Sequence, residues 1–202
     1  DNLVSVISSR QTNRSTYSDQ TIPDHLIDKI SQFSSENLKI YSFKKSSREF
    51  QILLNAVLKG NELQMNDIRF VNELKSWMRF NKNHSLKSRD GLSYAVYGAP
   101  NLPAFISKPI ISGYLNPKKQ NRTDVNNINS SSHLLLFTIQ SNDITCWVKA
   151  GAILQRCLLE LTAVGIAHAY CNQPCENREL SIEITRSLKI PDEHPVILLR
   201  IG

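Results

Sequence analysis

"DITCWVKAGAILQRCLLELTAVGIAHAYCNQPCENREL", residues 143–180, decides how the rest of the chain is read. Trp147, Ala150, Leu154, Cys157, Leu158, Leu161 and Val164 recur at helical spacing, so the stretch predicts one long helix from about Asp143 to Tyr170. Lys149, Arg156 and Glu160 interrupt the apolar run. They make it a central core helix rather than a membrane span. Beyond it His168, Cys171 and Cys175 form H-x2-C-x3-C, three borderline or soft ligands. Structural zinc takes four, usually with a second knuckle, and none is present. A redox pair would be C-x-x-C at a helix start, which this is not. All four cysteines (Cys146, Cys157, Cys171, Cys175) therefore read as small buried thiols without chemistry.

Around this helix the patterns alternate between two periods. Leu3, Val4, Val6 and Ile7 suggest a short first helix, which runs out in the polar "SSRQTNRSTYSD". A second helix begins near "IPDHLIDKISQF", with Pro23 suited to a first turn. "LKIYSF" alternates as a strand. From Ser46 to Phe80 the period is helical, with Phe50, Leu53, Leu54, Val57 and Leu58 in one stripe. Ile68, Val71, Leu74, Trp77 and Met78 form another, and Gly60 with Asn61 marks a break between two helices. Residues 81–100 read as an irregular loop. "NPKKQNRTDVNNINSSS", residues 116–132, reads as a mobile surface loop or lid. "HLLLFTI" is a buried strand, "RELSIEITRSL" a short helix and "PVILLRI" a last strand. About three strands among roughly six helices, without regular βαβ alternation, give an α+β class.

The composition, 41% hydrophobic and 21% charged over 202 residues, suits one globular domain. No apolar run is long enough to span a membrane. "DNLVSVISSR" has neither Met nor a signal-like pattern, and the chain reads as a fragment of a longer one. Four cysteines are too few for a secreted disulfide framework, so a cytoplasmic protein with reduced thiols is expected. The net charge of +6 gathers in "LKSWMRFNKNHSLKSRDG" and "NPKKQNR". Only Trp77 and Phe80 accompany those charges, and a nucleic-acid platform needs more aromatics among them.

Catalytic side chains are hard to find. There is no nucleophile elbow, no phosphate-cradling glycine loop and no paired carboxylate. The five histidines share no motif with a Ser or Cys. Chemistry without such groups points to a cofactor. "RQTNR" offers Arg10, Thr12 and Arg14, two guanidinium groups and a hydroxyl at spacing two, which match phosphate oxygens. Two surface arginines are the plainer explanation of the same residues.

Several segments in order resemble the flavin-dependent nitroreductase superfamily, and especially its Acg-type branch. They are "RQTNR" with "STYSDQTIP", "NELKSWMRF" followed by "RDGLS", "WVKAGAILQRCLLELTAVGIA", "CNQPCE" and the terminal "HPVILLRIG". Similar regions also occur fused to ThiF-type adenylating domains. The resemblance implies one nitroreductase-like domain over 1–202, an α+β sandwich whose central sheet is flanked by helices. It also implies FMN as cofactor and NAD(P)H as electron donor, with a nitroaromatic, quinone or similar acceptor. Arg10, Gln11, Thr12 and Arg14 match the segment that holds the flavin phosphate and ribityl chain. Asn172 and Gln173 match the loop whose main chain faces the reactive ring edge. A "PSxxNxQPW"-like segment of the family has no counterpart here. The implied partner is a second copy, or an N-terminal half of the same chain, meeting the long helix. The alternatives are a flavin-binding regulatory domain with little turnover and a catalytically inactive interaction module.

Overall fold

The computed structural model describes residues 3–18, 20–97, 100–113 and 115–202. Two compact units emerge, Asp1–Gly60 with Val125–Gly202, and Asn61–Asp124.

The first unit is built on a four-stranded antiparallel sheet of order β1-β4-β6-β5. Its strands are β1 (Leu38–Lys44), β4 (His133–Ile139), β5 (His168–Tyr170) and β6 (His194–Ile201). Every residue of β4 is buried, because helices cover both faces of the sheet. Alternate side chains serve the two faces. Leu135, Phe137 and Ile139 pack with Leu199 and Ile201 against α1 (Asp24–Ser31) and α7 (Ile144–Ala163). Leu134, Leu136 and Leu198 pack against Phe50, Leu53, Leu54 and Val57 of α2 (Arg48–Asn66). Ile128 of α6 (Pro117–Asn129) and Ile184 of α9 (Arg178–Ser187) complete that second cluster. This is the α+β sandwich anticipated from the sequence.

At the far end of the sheet the β4–β6 register slips between Phe137 and Thr138. There Glu193, only 8% exposed, accepts hydrogen bonds from Thr138, from Tyr41 Oη (2.8 Å) and from Lys39 Nζ (2.7 Å). One carboxylate thus ties β1 and β4 to the entry of β6.

The second unit holds α3 (Ile68–Trp77), α4 (Lys82–Ser88) and α5 (Ala104–Ser112), with the short parallel pair β2 (Met78–Arg79) and β3 (Leu92–Ser93). Buried Arg79 braces that pair, donating to Ser88 Oγ (3.0 Å), Asp90 Oδ1 (2.9 Å) and the Ser76 carbonyl (2.8 Å). Gly91 has φ +69°, and a Cβ there would collide with the Trp77 carbonyl oxygen.

Several sequence expectations fail for identifiable reasons. α2 runs unbroken through Gly60 and Asn61 and ends only at Asn66, after which Asp67 caps α3 through the Arg69 N–H (2.8 Å). Residues 81–100 are not one irregular loop, since Asn81 caps α4 and β3 follows. The polar stretch 116–132 carries helix α6 over Pro117–Asn129 instead of a loop. Its charged face hid the pattern, and the buried Asn61 side chain holds it, donating to Asn121 Oδ1 (3.0 Å) and Asp124 Oδ2 (2.8 Å). The first helix is a single 3-10 turn over Leu3–Val6. The long helix stops at Ala163 rather than Tyr170, because Gly165 takes a left-handed φ of +74° and ends it. Trp147, placed on its buried face by the spacing, is half exposed, while Cys146 is buried beside it.

Candidate functional site

Residues 10–14 have no regular secondary structure, yet they are anchored. The Asn13 N–H donates to the His168 carbonyl (2.9 Å), so the segment lies along β5, the edge strand of the sheet. Arg10 and Thr12 are half-buried there, and Gln11 and Arg14 are exposed. Among the described residues neither Arg10 nor Arg14 has a carboxylate partner. Their charges are available to an anion.

β5 leads directly into the other predicted segment. The Cys171 N–H donates to the Leu198 carbonyl (2.8 Å), and Leu198 N–H donates to Asn172 Oδ1 (2.9 Å). The Asn172 side chain thereby takes the place of a main-chain acceptor at the end of the β5–β6 ladder. Its own carbonyl accepts from Cys175 N–H (2.8 Å) and Glu176 N–H (3.1 Å), which starts the short helix α8 (Gln173–Glu176). Gly60 of α2 presses on this turn, where a Cβ would meet Gln173 Cβ at 2.7 Å. The glycine read as a helix break is instead a point of close approach. Both predicted segments therefore meet at one strand, Arg10–Arg14 alongside it and Asn172–Gln173 beyond its end.

His168 lies in the angle between them, 1% exposed, and neither ring nitrogen has a hydrogen-bond partner among the described residues. Burial lowers its pKa and the nearby Arg10 charge lowers it further, which keeps the imidazole neutral. Burial, with Glu176 and Cys171 adding, pushes the Cys175 thiol up to about 12. His168, Cys171 and Cys175 do not gather into a metal-ligating group, and no such group occurs among the described residues.

Three residues missed by the sequence reading complete the arrangement. Arg200 of β6 is 3% exposed and reaches across to the segment, donating to the Ser15 carbonyl (2.8 Å) and the Asn13 carbonyl (3.2 Å). It also donates to the Asn127 carbonyl (3.0 Å), and its guanidinium lies 4.0 Å from the centre of the Tyr17 ring. Tyr17 donates its hydroxyl to the Asn13 carbonyl (3.0 Å) and its N–H to Ser130 Oγ (2.9 Å). Burial raises the phenol's pKa despite Arg200, so the hydroxyl stays a donor. Gly60 is the third. The available signal for Arg200 was a lone cation inside "PVILLRI".

Two open depressions, of about 660 Å³ and 550 Å³, lie at the opposite end of the sheet. Asn37, Trp147 and Lys149 line the first, and Lys39, Tyr41 and Glu193 the second. None of the sequence-predicted residues lines either one.

No protein-family model matches the chain, and no curated protein is detectably similar to it. Solved structures are similar. An FMN-dependent nitroreductase, NfnB, from Mycobacterium smegmatis in complex with NADPH superposes with a TM-score of 0.61 at 13% identity, over 99% of this chain and 86% of that one. A nitroreductase with bound FMN from Bacteroides fragilis gives 0.57 at 14% identity, over 100% and 88%. A nitroreductase-like family protein from Bacillus cereus gives 0.52 at 12%, over 100% and 85%. The chain therefore corresponds to most of each of these chains rather than to half of one. Together with the helix-covered antiparallel sheet, these superpositions show that the chain has the nitroreductase fold.

Proposed function

We propose that the chain is an FMN-dependent oxidoreductase that takes electrons from NAD(P)H and reduces a nitroaromatic, quinone or similar acceptor. The observation that carries this reading is the meeting at β5 of the Asn172–Gln173 turn with two arginines that have no carboxylate partner among the described residues. The donor set fits a phosphate monoester. Arg10 and Arg14 supply forked charged donors, Thr12 a hydroxyl and Gln11 an amide. The main chain at Asn172–Gln173 would face the ring, where a fixed N–H orients it and stabilises developing charge. Bound FMN supplies hydride acceptance and its transfer onward, a task for which the sequence offered no acid/base pair. Neutral His168 adds no charge of its own beside the arginines.

NfnB from M. smegmatis was solved with NADPH and the B. fragilis protein with FMN, which supports both assignments at the level of the fold. The partner we propose is a second copy, meeting the exposed Ile144, Trp147 and Val148 of α7. Among the described residues no helix is long and apolar enough to cross a membrane. The sparse cysteines suit a reducing compartment, and the cytoplasm is the placement we propose. The second reading, a flavin-binding domain with little turnover, differs in one observable, since NAD(P)H would not bleach its flavin.

The test is a double Arg10→Ala, Arg14→Ala variant titrated with FMN and with riboflavin, which lacks the phosphate. A charged hydrogen bond contributes about 1.5–3 kcal/mol, less where solvated, so FMN affinity should fall at least about tenfold and riboflavin affinity should not. Equal weakening of both ligands would remove these residues from the phosphate site.

A further inference from the structure

Arg200 carries a charge with no carboxylate partner among the described residues, although it is 3% exposed. A buried cation is costly unless its protons are bonded. Its protons go to three carbonyls from two distant stretches of chain, Asn13 and Ser15 on one side and Asn127 on the other. The Tyr17 ring covers the guanidinium, and Gly202 permits this because a Cβ there would meet Tyr17 Cδ2 at 2.7 Å. The stretch so gripped contains Arg14 and begins one residue after Thr12. It has no ladder of its own to fix those carbonyls.

We propose that Arg200 is the positioning residue for the Arg10–Arg14 segment. By pinning the Asn13 and Ser15 carbonyls it presets Arg10, Thr12 and Arg14 for a phosphate monoester. This rests on the functional reading above. The guanidinium is itself enclosed and both its terminal nitrogens donate to carbonyls, so it acts through the backbone and not by touching the ligand. Pre-ordering matters because a loop that must be fixed on binding spends part of its interaction energy on its own entropy. Lysine cannot substitute, since one ammonium lacks the planar fork that serves carbonyls in two directions.

The experiment uses the whole chain as wild type, Arg200→Gln, Arg200→Lys and the milder Tyr17→Phe, which removes one donor to the Asn13 carbonyl and no charge. The first readout is the ratio of FMN to riboflavin affinity by fluorescence titration. The second is hydrogen exchange at the Asn13 amide in the flavin-free protein. Arg200→Gln should cut the FMN preference by about tenfold, with riboflavin affinity held and Asn13 exchange accelerated. Arg200→Lys should restore little of it, and Tyr17→Phe should show the same direction at smaller size. If Arg200→Gln does not fold, Tyr17→Phe decides alone. A preference unchanged in every folded variant, or an equal loss for both flavins, overturns the positioning role. A wild-type chain that takes up neither flavin overturns the FMN reading instead. In that case accelerated Asn13 exchange still supports the grip of Arg200 on the segment, and unchanged exchange overturns it.

Discussion

Replacing Glu193 by glutamine should expose how much the far end of the sheet depends on one charge. The substitution keeps the shape but makes the bonds from Thr138 and Tyr41 neutral. The Thr138 side chain is buried with the carboxylate, so these are charge-assisted bonds in a poorly solvated place. Losing the charge removes about half of a contribution of roughly 1.5–3 kcal/mol from each, about 2 kcal/mol in all. Lys39 is well solvated and is left out of that figure. In urea, with a slope of about 2 kcal/mol per molar, the midpoint should fall by about 1 M. Burial acts to raise the Glu193 pKa, but the hydrogen bonds from Lys39, Thr138 and Tyr41 outweigh it and hold the carboxyl below its ordinary value. A depressed pKa contributes stability above the unfolded value, and that contribution is lost as pH falls through the folded one. The gap between wild type and Glu193→Gln should therefore be open near about pH 7 and closed well below the ordinary carboxylate range of about 4. Coincident urea curves at neutral pH would refute this reasoning, and so would a gap that persists unchanged in acid.

Gly60→Ala should cost about 1–3 kcal/mol through overpacking against Gln173, read as a lowered melting temperature, and should loosen the 172–174 turn. A neutral alanine would mean that α2 does not press on that turn. Burial pushes the Cys157 and Cys175 thiols up to about 12, so both should resist alkylation in the native protein and react once it is denatured. Mass spectrometry checks this, and prompt native labelling would count against it. Cys171→Ser with Cys175→Ser should leave zinc content unchanged by elemental analysis. Trp147→Glu with Val148→Glu should reduce self-association by light scattering. An unaltered mass would move the proposed interface away from α7.

The layers of the fold were legible where one face of an element is apolar. "HLLLFTI" reads as a buried strand and the Phe50–Val57 stripe as a helix, and the structure packs the one on the other. Legibility failed where something other than hydrophobic burial holds an element. α6 buries little beyond Ile128 and is tied through the amide of Asn61, so no period announces it. The overlong helix followed from reading apolar residues through Gly165, whose backbone conformation no pattern of hydrophobicity reveals. At the candidate site, the spacing of Arg10, Thr12 and Arg14 was visible because it is local. Arg200 was not, because its acceptors on Asn13 and Ser15 lie almost a full chain length away. An arginine in an apolar strand shows only that some partner exists.

The place of β6 has a consequence for how the protein comes to be made. Of the four strands of this sheet it is made last, yet it lies between β4 and β5 and pairs with both. β5 has no other strand partner in the sheet, so it cannot join until residues 194–201 have emerged. The Arg10–Arg14 segment, made before all four strands, waits with it for its footing on His168 and its grip by Arg200. The sheet is thus assembled through pairings distant in sequence, which makes folding slow relative to a helical bundle of equal size. Throughout that wait the apolar strand His133–Ile139 has only β1 beside it and an open edge on the other side. Such an edge invites pairing with other chains, so the nascent sheet is most exposed to aggregation just before β6 is delivered.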